Sequence, residues 1–233
     1  MDLYNAIWKR KSVRKYDMTP LEDEQLSRIM QFAESMKPLY PGIKTAYEII
    51  AGVKNFMAAK APHYFAILSE ETDGYLENAG FMFQQMDLYL TSIGLGSCWL
   101  GMAKPAEKLN AELPLVITLA FGKADESPYR ELSDFKRKPL SDISSGDDAR
   151  LEAARVAPSA VNNQNWFFAA ESGKIDVFQK KAAIGIFEKM NRIDIGIALC
   201  HLFVATEESG REFIFAKDAE KEKKGYIYTG TVE

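Results

Sequence analysis

Ala157-Pro158-Ser159-Ala160-Val161-Asn162-Asn163-Gln164-Asn165-Trp166 is the stretch on which the reading of this chain turns. It joins a predicted helix, 147–156, to a predicted strand, 166–170, through small and amide-bearing side chains. Asparagines by themselves favour turns, but the ordered pattern Pro-Ser-x-x-Asn-x-Gln-x-Trp is more specific than a turn requires. Asn162 and Gln164 each offer donors and an acceptor, enough to read the edge of a flat heterocycle. Pro158 and Ser159 shape a tight backbone that can approach a ring face.

Beyond the loop, a strand over 174–178 pairs back on 166–170 through Ser172-Gly173. A helix over 193–208 ends at Gly210, and 213–215 and 226–232 are extended. The charge run 217–224 reads as a solvated face or a linker. Before the loop, 3–9 is a short helix. Thr19-Pro20-Leu21-Glu22 has the form of an N-cap and capping box opening a second helix, and 46–59 reads as weakly helical. The apolar run 64–68 is a strand, 75–92 a long helix ending at Gly94, 115–121 a strand, and 123–146 an extended connection.

This order restarts midway. Gly80 and Gly94 bracket the first long helix, and Gly196 and Gly210 bracket the second with the same separation. The same offset of 116 carries Asn78 onto Asp194, Phe81 onto Ile197, Phe83 onto Leu199 and Met86 onto Leu202. The strands at 65–66 and 168–169 correspond once a gap is allowed. A single domain over 1–233, built of pseudo-repeats 1–140 and 147–216, is the expectation.

Composition bounds the function. The chain has 233 residues, 47% of them hydrophobic, and a net charge of -4 with 27% evenly mixed charged residues. That is enough apolar material for a full core, with no basic field for nucleic acid and no polybasic membrane patch. No apolar run is long enough to span a bilayer, and the N-terminus lacks the form of a signal peptide. Two histidines, His63 and His201, are too scattered for a metal site. Cys98 and Cys200 lie among apolar residues, so buried thiols in a cytoplasmic protein are the default. His201 reads as a core histidine and Cys98 as packing.

Two further motifs carry chemistry. Lys9, Arg10, Lys11, Ser12, Arg14 and Lys15 gather cations and a hydroxyl at a helix end, where arginine forks and serine can grip a phosphate. Taken alone, such a cluster is solvated surface. Gly94-Leu95-Gly96-Ser97-Cys98-Trp99-Leu100-Gly101 frees backbone N–H groups to approach a ligand, without the order of a dinucleotide fingerprint or a P-loop.

Together the three motifs resemble the nitroreductase flavoprotein superfamily over most of the chain, from Tyr4 to about Phe215. That resemblance implies an α+β fold, a three-layer α-β-α sandwich with a mainly antiparallel sheet, and bound FMN. It implies that Arg10 and Ser12, with Lys11, hold the phosphate and ribityl side, and that Arg14 reaches the pyrimidine end. The Leu100 and Gly101 backbone would face the N5/O4 edge, and Arg137 with Lys138 would supply a late phosphate-binding cation. Pro158, Ser159, Asn162 and Gln164 would cover the flavin. In ordinary members, which are homodimers, that loop follows the basic element and reaches the partner's site. Here the corresponding place, Met36-Lys37-Pro38-Leu39-Tyr40, keeps only the proline, and the loop appears in the second repeat. Asn165 also replaces the family's proline before Trp166. This distribution implies a fused, internally duplicated subgroup: two pseudo-twofold halves, one flavin site per chain, and a monomer acting as a pseudo-dimer.

The activity implied is hydride transfer from NADH or NADPH through FMN to a small acceptor such as a nitroaromatic or quinone, with ping-pong kinetics and no protein acid or base. The alternatives are a flavin carrier or sensor without turnover, a related flavin reaction such as reductive dehalogenation or flavin fragmentation, and a relic without flavin.

Overall fold

A computed structural model describes residues 2–54, 59–182, 185–217 and 221–233. The first half runs α1 (Leu3–Ile7), α2 (Asp23–Ser35), β1 (Thr45–Ile50), β2 (Val53–Lys54), β3 (His63–Ser69), α3 (Tyr75–Ser92), β4 (Gly96–Leu100), β5 (Lys104–Pro105) and β6 (Leu115–Gly122). The second runs α4 (Leu140–Ile143), β7 (Ser144–Ser145), α5 (Arg150–Arg155), β8 (Trp166–Glu171), β9 (Lys174–Lys180), α6 (Gly185–Glu208), β10 (Phe215–Ala216) and β11 (Tyr226–Val232). The fold is mixed α+β with antiparallel sheets. One sheet has the order β1-β3-β6-β4, another β10-β11-β9-β8-β7, and β2 and β5 form a small ribbon. Among the strand pairs of the described residues β7–β8 alone is parallel, and the isolated bridge of Ser12 to Ser97 is parallel too.

The long helices α3 and α6 pack on each other, and each packs on the sheet of its own half. Their sequences explain this. Along α3 only Tyr75, Met82, Tyr89 and Ser92 keep partial exposure; apolar residues and the polar Glu77, Asn78, Gln84, Gln85, Asp87 and Thr91 are buried alike, so the helix is covered on nearly every side. Two glycines set how closely the helices approach. A Cβ on Gly80 would lie 2.2 Å from Ile193 O, and one on Gly196 would lie 2.0 Å from Glu77 O. Gly80 and Gly196 stand 116 residues apart, and so do Glu77 and Ile193. The contact is therefore reciprocal, residue for residue.

The sheets share an order as well. Strands β8, β9, β11 and β10 follow one another in space as β1, β3, β6 and β4 do. By this measure β3 corresponds to β9, and β8 takes the place of β1, one strand off the correspondence read from 65–66 and 168–169. Phe65, Phe83, Phe121, Trp166 and Phe168 are fully buried in the core, each burial stabilising by roughly 1.5–3 kcal/mol.

Further sequence expectations differ from the structure: α6 begins at Gly185 rather than 193, and α4 interrupts the expected extended connection 123–146. Residues 45–54 form β1 and β2, not helix: Thr45, Tyr47 and the Ile pair suit a pleated edge, and Thr45 pairs with Ser69 of β3. Residues 55–58 of that expected helix lie outside the described residues. The capping box is also absent. Thr19 N–H donates instead to Asp17 Oδ1 at 2.9 Å, and α2 starts later, with Asp23 and Glu24 facing its dipole. Finally, 96–100, read as a glycine turn, is strand β4, with a full register on β6. Among the described residues no helix is long and apolar enough to cross a membrane, and no three metal-ligating side chains gather.

Candidate active site

The basic segment is stitched along β4. Ser12 bridges Ser97, and Val13 N donates to Ser97 O at 2.9 Å, while Arg10 bridges Tyr129. Gly96 makes room for this, since a Cβ there would meet Val13 Cγ2 at 2.6 Å. Val13 and Tyr16 point inward, Ser12 and Lys11 are half-buried, and Arg14 is exposed.

Arg10 is fully buried. Its Nε stands 2.8 Å from Asp87 Oδ2, an ion pair out of line for a good hydrogen bond, and its Nη2 donates to Ser12 Oγ at 3.2 Å. Asp87, on α3, also accepts from Ser97 Oγ and, at 2.8 Å, from Gln84 Nε2. Gln84 Nε2 donates again to His201 Nε2 at 3.0 Å, so the His201 proton sits on Nδ1, which donates to Ala153 O at 2.8 Å. Trp99 Nε1 donates to Gln84 Oε1 at 3.1 Å. Burial holds His201 neutral, with its pKa lowered to about 3. It is a satisfied core histidine, and it ties the second half into the first half's polar network.

Further cations surround Arg10. Arg130 lays its guanidinium 3.7 Å from the Phe135 ring centroid and donates Nε to Arg10 O at 2.9 Å. Arg137 stands over the same ring at 5.7 Å and donates to Val156 O and Asn162 Oδ1. Burial first, then Arg130, Arg10 and Arg155, push Arg137 down to about 9, and burial followed by Arg10 pushes Arg130 down to about 10. Groups that disfavour one another's charge in this way call for an anion. Arg10 Nη1 and Arg137 Nε are buried and without a hydrogen-bond partner. Open guanidinium donors of this kind fit a phosphate, and with it a phosphate-bearing cofactor such as FMN.

The 157–166 loop supplies the opposite wall. Val161, Asn162 and Gln164 all have positive φ, at 46°, 59° and 48°, each costing on the order of 1–3 kcal/mol in a residue other than glycine. Surrounding bonds hold the strain. Ser159 Oγ accepts Gln164 N at 2.9 Å, Gln164 Oε1 accepts Lys138 N at 2.7 Å, and Asn162 Nδ2 donates to Lys136 O at 2.7 Å. Lys138 Nζ donates to Asn163 O at 2.6 Å. The amides of Asn162 and Gln164 are thus spent on the 136–138 segment.

Two adjoining cavities of about 430 and 130 Å³ lie between the halves, a size that suits a small-molecule site. The first half lines them with Arg14, Cys98, Trp99 and Gly101, and the second with Ala160, Val161 and Met190. Leu100 borders the larger cavity, and Ser12, Pro158 and Ser159 border the smaller. Arg10, Lys11, Arg137, Asn162 and Gln164 stand outside both linings. Cys98 is a buried thiol whose pKa burial raises, which suits packing.

Sequence reasoning missed Asp87, Gln84, Arg130 and Asp194. The available signal was a charged or amide residue amid apolar neighbours on a helix, as Asp87 is between Met86 and Leu88.

Asp194, on α6, lines the smaller cavity, and both its oxygens accept Ala160 N, at 3.1 and 3.0 Å. Its counterpart at the 116 offset, Asn78, accepts Leu39 N and Tyr40 N at 2.9 and 3.0 Å. Burial raises the Asp194 carboxyl from 3.8 to about 8. Between those values the folded chain keeps a proton that the unfolded chain has released. Stability therefore falls as pH rises through that window, by up to ~1.4 kcal/mol per pH unit. Asp194→Asn, which keeps the acceptor, is expected to flatten the Tm profile from about pH 6 to 8. A variant profile parallel to wild type would mean that Asp194 is ionised in the fold.

Residues 2–206 match the model of the family described as "Putative TM nitroreductase". The crystal structure of a "putative nitroreductase" from Thermotoga maritima aligns with a TM-score of 0.70 at 22% identity, covering 100% of this chain and 93% of that one. A nitroreductase family protein from Clostridium difficile aligns at 0.50 and 21% identity, over 64% of this chain and 99% of its own. An FMN-dependent nitroreductase from Clostridium difficile R20291 aligns at 0.47 and 20% identity, over 61% and 98%. No curated protein matches the chain. At these identities the structural likeness is one of fold.

Proposed function

Because the chain belongs to the nitroreductase family described as "Putative TM nitroreductase", we propose that it is an FMN-dependent oxidoreductase that reduces a small acceptor with NADH or NADPH. The observation that carries this reading is the cavity in which Ser12, Arg14 and Gly101 of one half face Pro158, Ser159 and Val161 of the other, beside an arginine cluster with open donors.

Bound FMN supplies a carrier that takes up hydride at N5 and gives it to the acceptor. For a quinone the balance is NAD(P)H, quinone and one proton giving NAD(P)+ and hydroquinone. The chain's own residues hold and orient. Arg10 and Arg137, whose unpaired donors are buried outside the cavity lining, would turn them to the phosphate; Ser12 would add a hydroxyl beside it and Arg14 a positive charge at the pyrimidine end. The strand end at Leu100 and Gly101 presents backbone along one edge. Trp99, Met190 and Phe187 give the cavity apolar walls against which a flat ring would lie.

We further infer that the two halves arose by duplication and that one chain holds one flavin. The reciprocal Gly80 and Gly196 contacts and the shared strand order support the duplication. On the side related by the 116 offset, Gly74 and Glu77 stand where the cavity has Met190 and Ile193, and a space of about 200 Å³ remains. Tyr40 closes against Gly74 there, and Arg192 pairs with Glu77 at 2.6 Å. A flat apolar ring has no place in it. With Cys98 and Cys200 free and buried, the cytoplasm is the compartment we assign.

Titration with FMN, followed by flavin fluorescence, is expected to saturate at one equivalent per chain on a particle of one chain's mass. NADH or NADPH should then bleach the visible absorbance. Two equivalents would overturn the one-site reading, and no binding would overturn the flavin reading.

A further inference from the structure

The mouth of the larger cavity is unusual for a surface. Among the described residues ten large apolar side chains are exposed, and four of them, Met102, Val161, Ile186 and Phe187, rim this opening. Exposed apolar residues grouped around a pocket mark a binding surface. The adjoining smaller cavity differs: Ser12, Arg14, Ser159 and Asp194 bring polar groups to its lining. A ligand that reaches toward them leaves its other end among the apolar side chains of the mouth.

Val161 is the most telling of the four. It is 82% exposed and has a φ of 46°, a conformation that a β-branched residue rarely adopts. The chain thus strains its backbone to hold an isopropyl group in water. Both conditions are unfavourable to the free protein, and both are fixed by the bonds from Asp194 to Ala160 N and from Ser159 to Gln164 N. Strain maintained in this way at a pocket mouth points to a ligand surface that Val161 meets. Phe187, half exposed on the first turns of α6, lines the same opening.

We propose that Val161 and Phe187 form an apolar jaw that selects an acceptor whose ring carries an apolar chain, over the same ring without one. This rests on the acceptor-reducing reading above. The ring lies within the larger cavity and the chain lies across the jaw at its mouth, where each methylene covered strengthens binding roughly fourfold.

The test compares a benzoquinone bearing a decyl chain with the same quinone lacking it, by calorimetric binding to the protein as purified and by kcat/KM with NADH. The decyl form is expected to bind at least tenfold more tightly and to show a similar preference in kcat/KM. Val161→Asn, a residue that accepts the left-handed conformation, should reduce that preference at least threefold and raise Tm. Equal binding of the two quinones would overturn the proposal, as would a variant that weakens both alike or melts lower. A chain preference in binding without reduction of either quinone would sink the acceptor reading and leave the jaw standing. Equal reduction of both would do the reverse.

Discussion

Asp87→Leu is expected to destabilise the fold by about 3–5 kcal/mol, because it leaves the Arg10 charge buried without its counterion. Ser97 Oγ and Gln84 Nε2 lose their acceptor in the same step. The double variant Arg10→Met/Asp87→Leu should lie much closer to wild type. It replaces a buried pair with apolar groups, and it relieves the repulsion that Arg10 exerts on Arg130 and Arg137. Urea denaturation of the three proteins decides the matter: single and double variants equally unstable would mean that the pair is not the source of the cost. Saturating FMN should stabilise Asp87→Leu by more than it stabilises the double variant, since its phosphate brings a negative charge to the uncompensated Arg10.

The second large effect is geometric. In Gly196→Ala the new Cβ would lie 2.0 Å from Glu77 O, a backbone atom that cannot turn aside, so α3 and α6 must move apart. A cost of about 3 kcal/mol or more is expected, at the upper end for overpacking. Gly80→Ala should behave alike, with its Cβ 2.2 Å from Ile193 O. Gly210→Ala is the control. It has a φ of 74° but nothing within 4 Å, so only the left-handed conformation is penalised, by about 1 kcal/mol. Thermal unfolding in which Gly196→Ala and Gly210→Ala fall together would remove the packing argument.

What could be read from the sequence was local or periodic. The long helix 75–92, read as amphipathic, has the same bounds in the structure between Gly74 and Gly94, but it is buried on nearly every side because α6 covers the face left to solvent in that reading. The loop and the basic element were visible as ordered residue types, and their meeting across the cavity followed from the resemblance. Which way each side chain faces was not visible. Arg10 and Arg14 are four apart in one basic run, yet the first is fully buried against Asp87 and the second is exposed. Arg130 and Arg155 join the cluster only through contacts distant in sequence. Residues 45–54 looked helical because no local signal announces an edge strand whose partner, β3, lies beyond the next turn.

The order of strands in space has a consequence in time. In each sheet the latest strand in sequence lies inside rather than at the rim: β6 sits between β3 and β4, and β11 between β9 and β10. As the chain leaves the ribosome, the first sheet can close once residue 122 has emerged, whereas the second waits for residue 232. At ordinary synthesis speeds that interval is on the order of ten seconds. Through its first part α3 lacks α6, which is complete only at Glu208, and through its last part β9 has one rim unpaired. The cavity takes a wall from each half, so it cannot form until the chain has passed Ile197. A nascent chain stalled before that point would present the face of α3 that packs on α6 to any chaperone within reach.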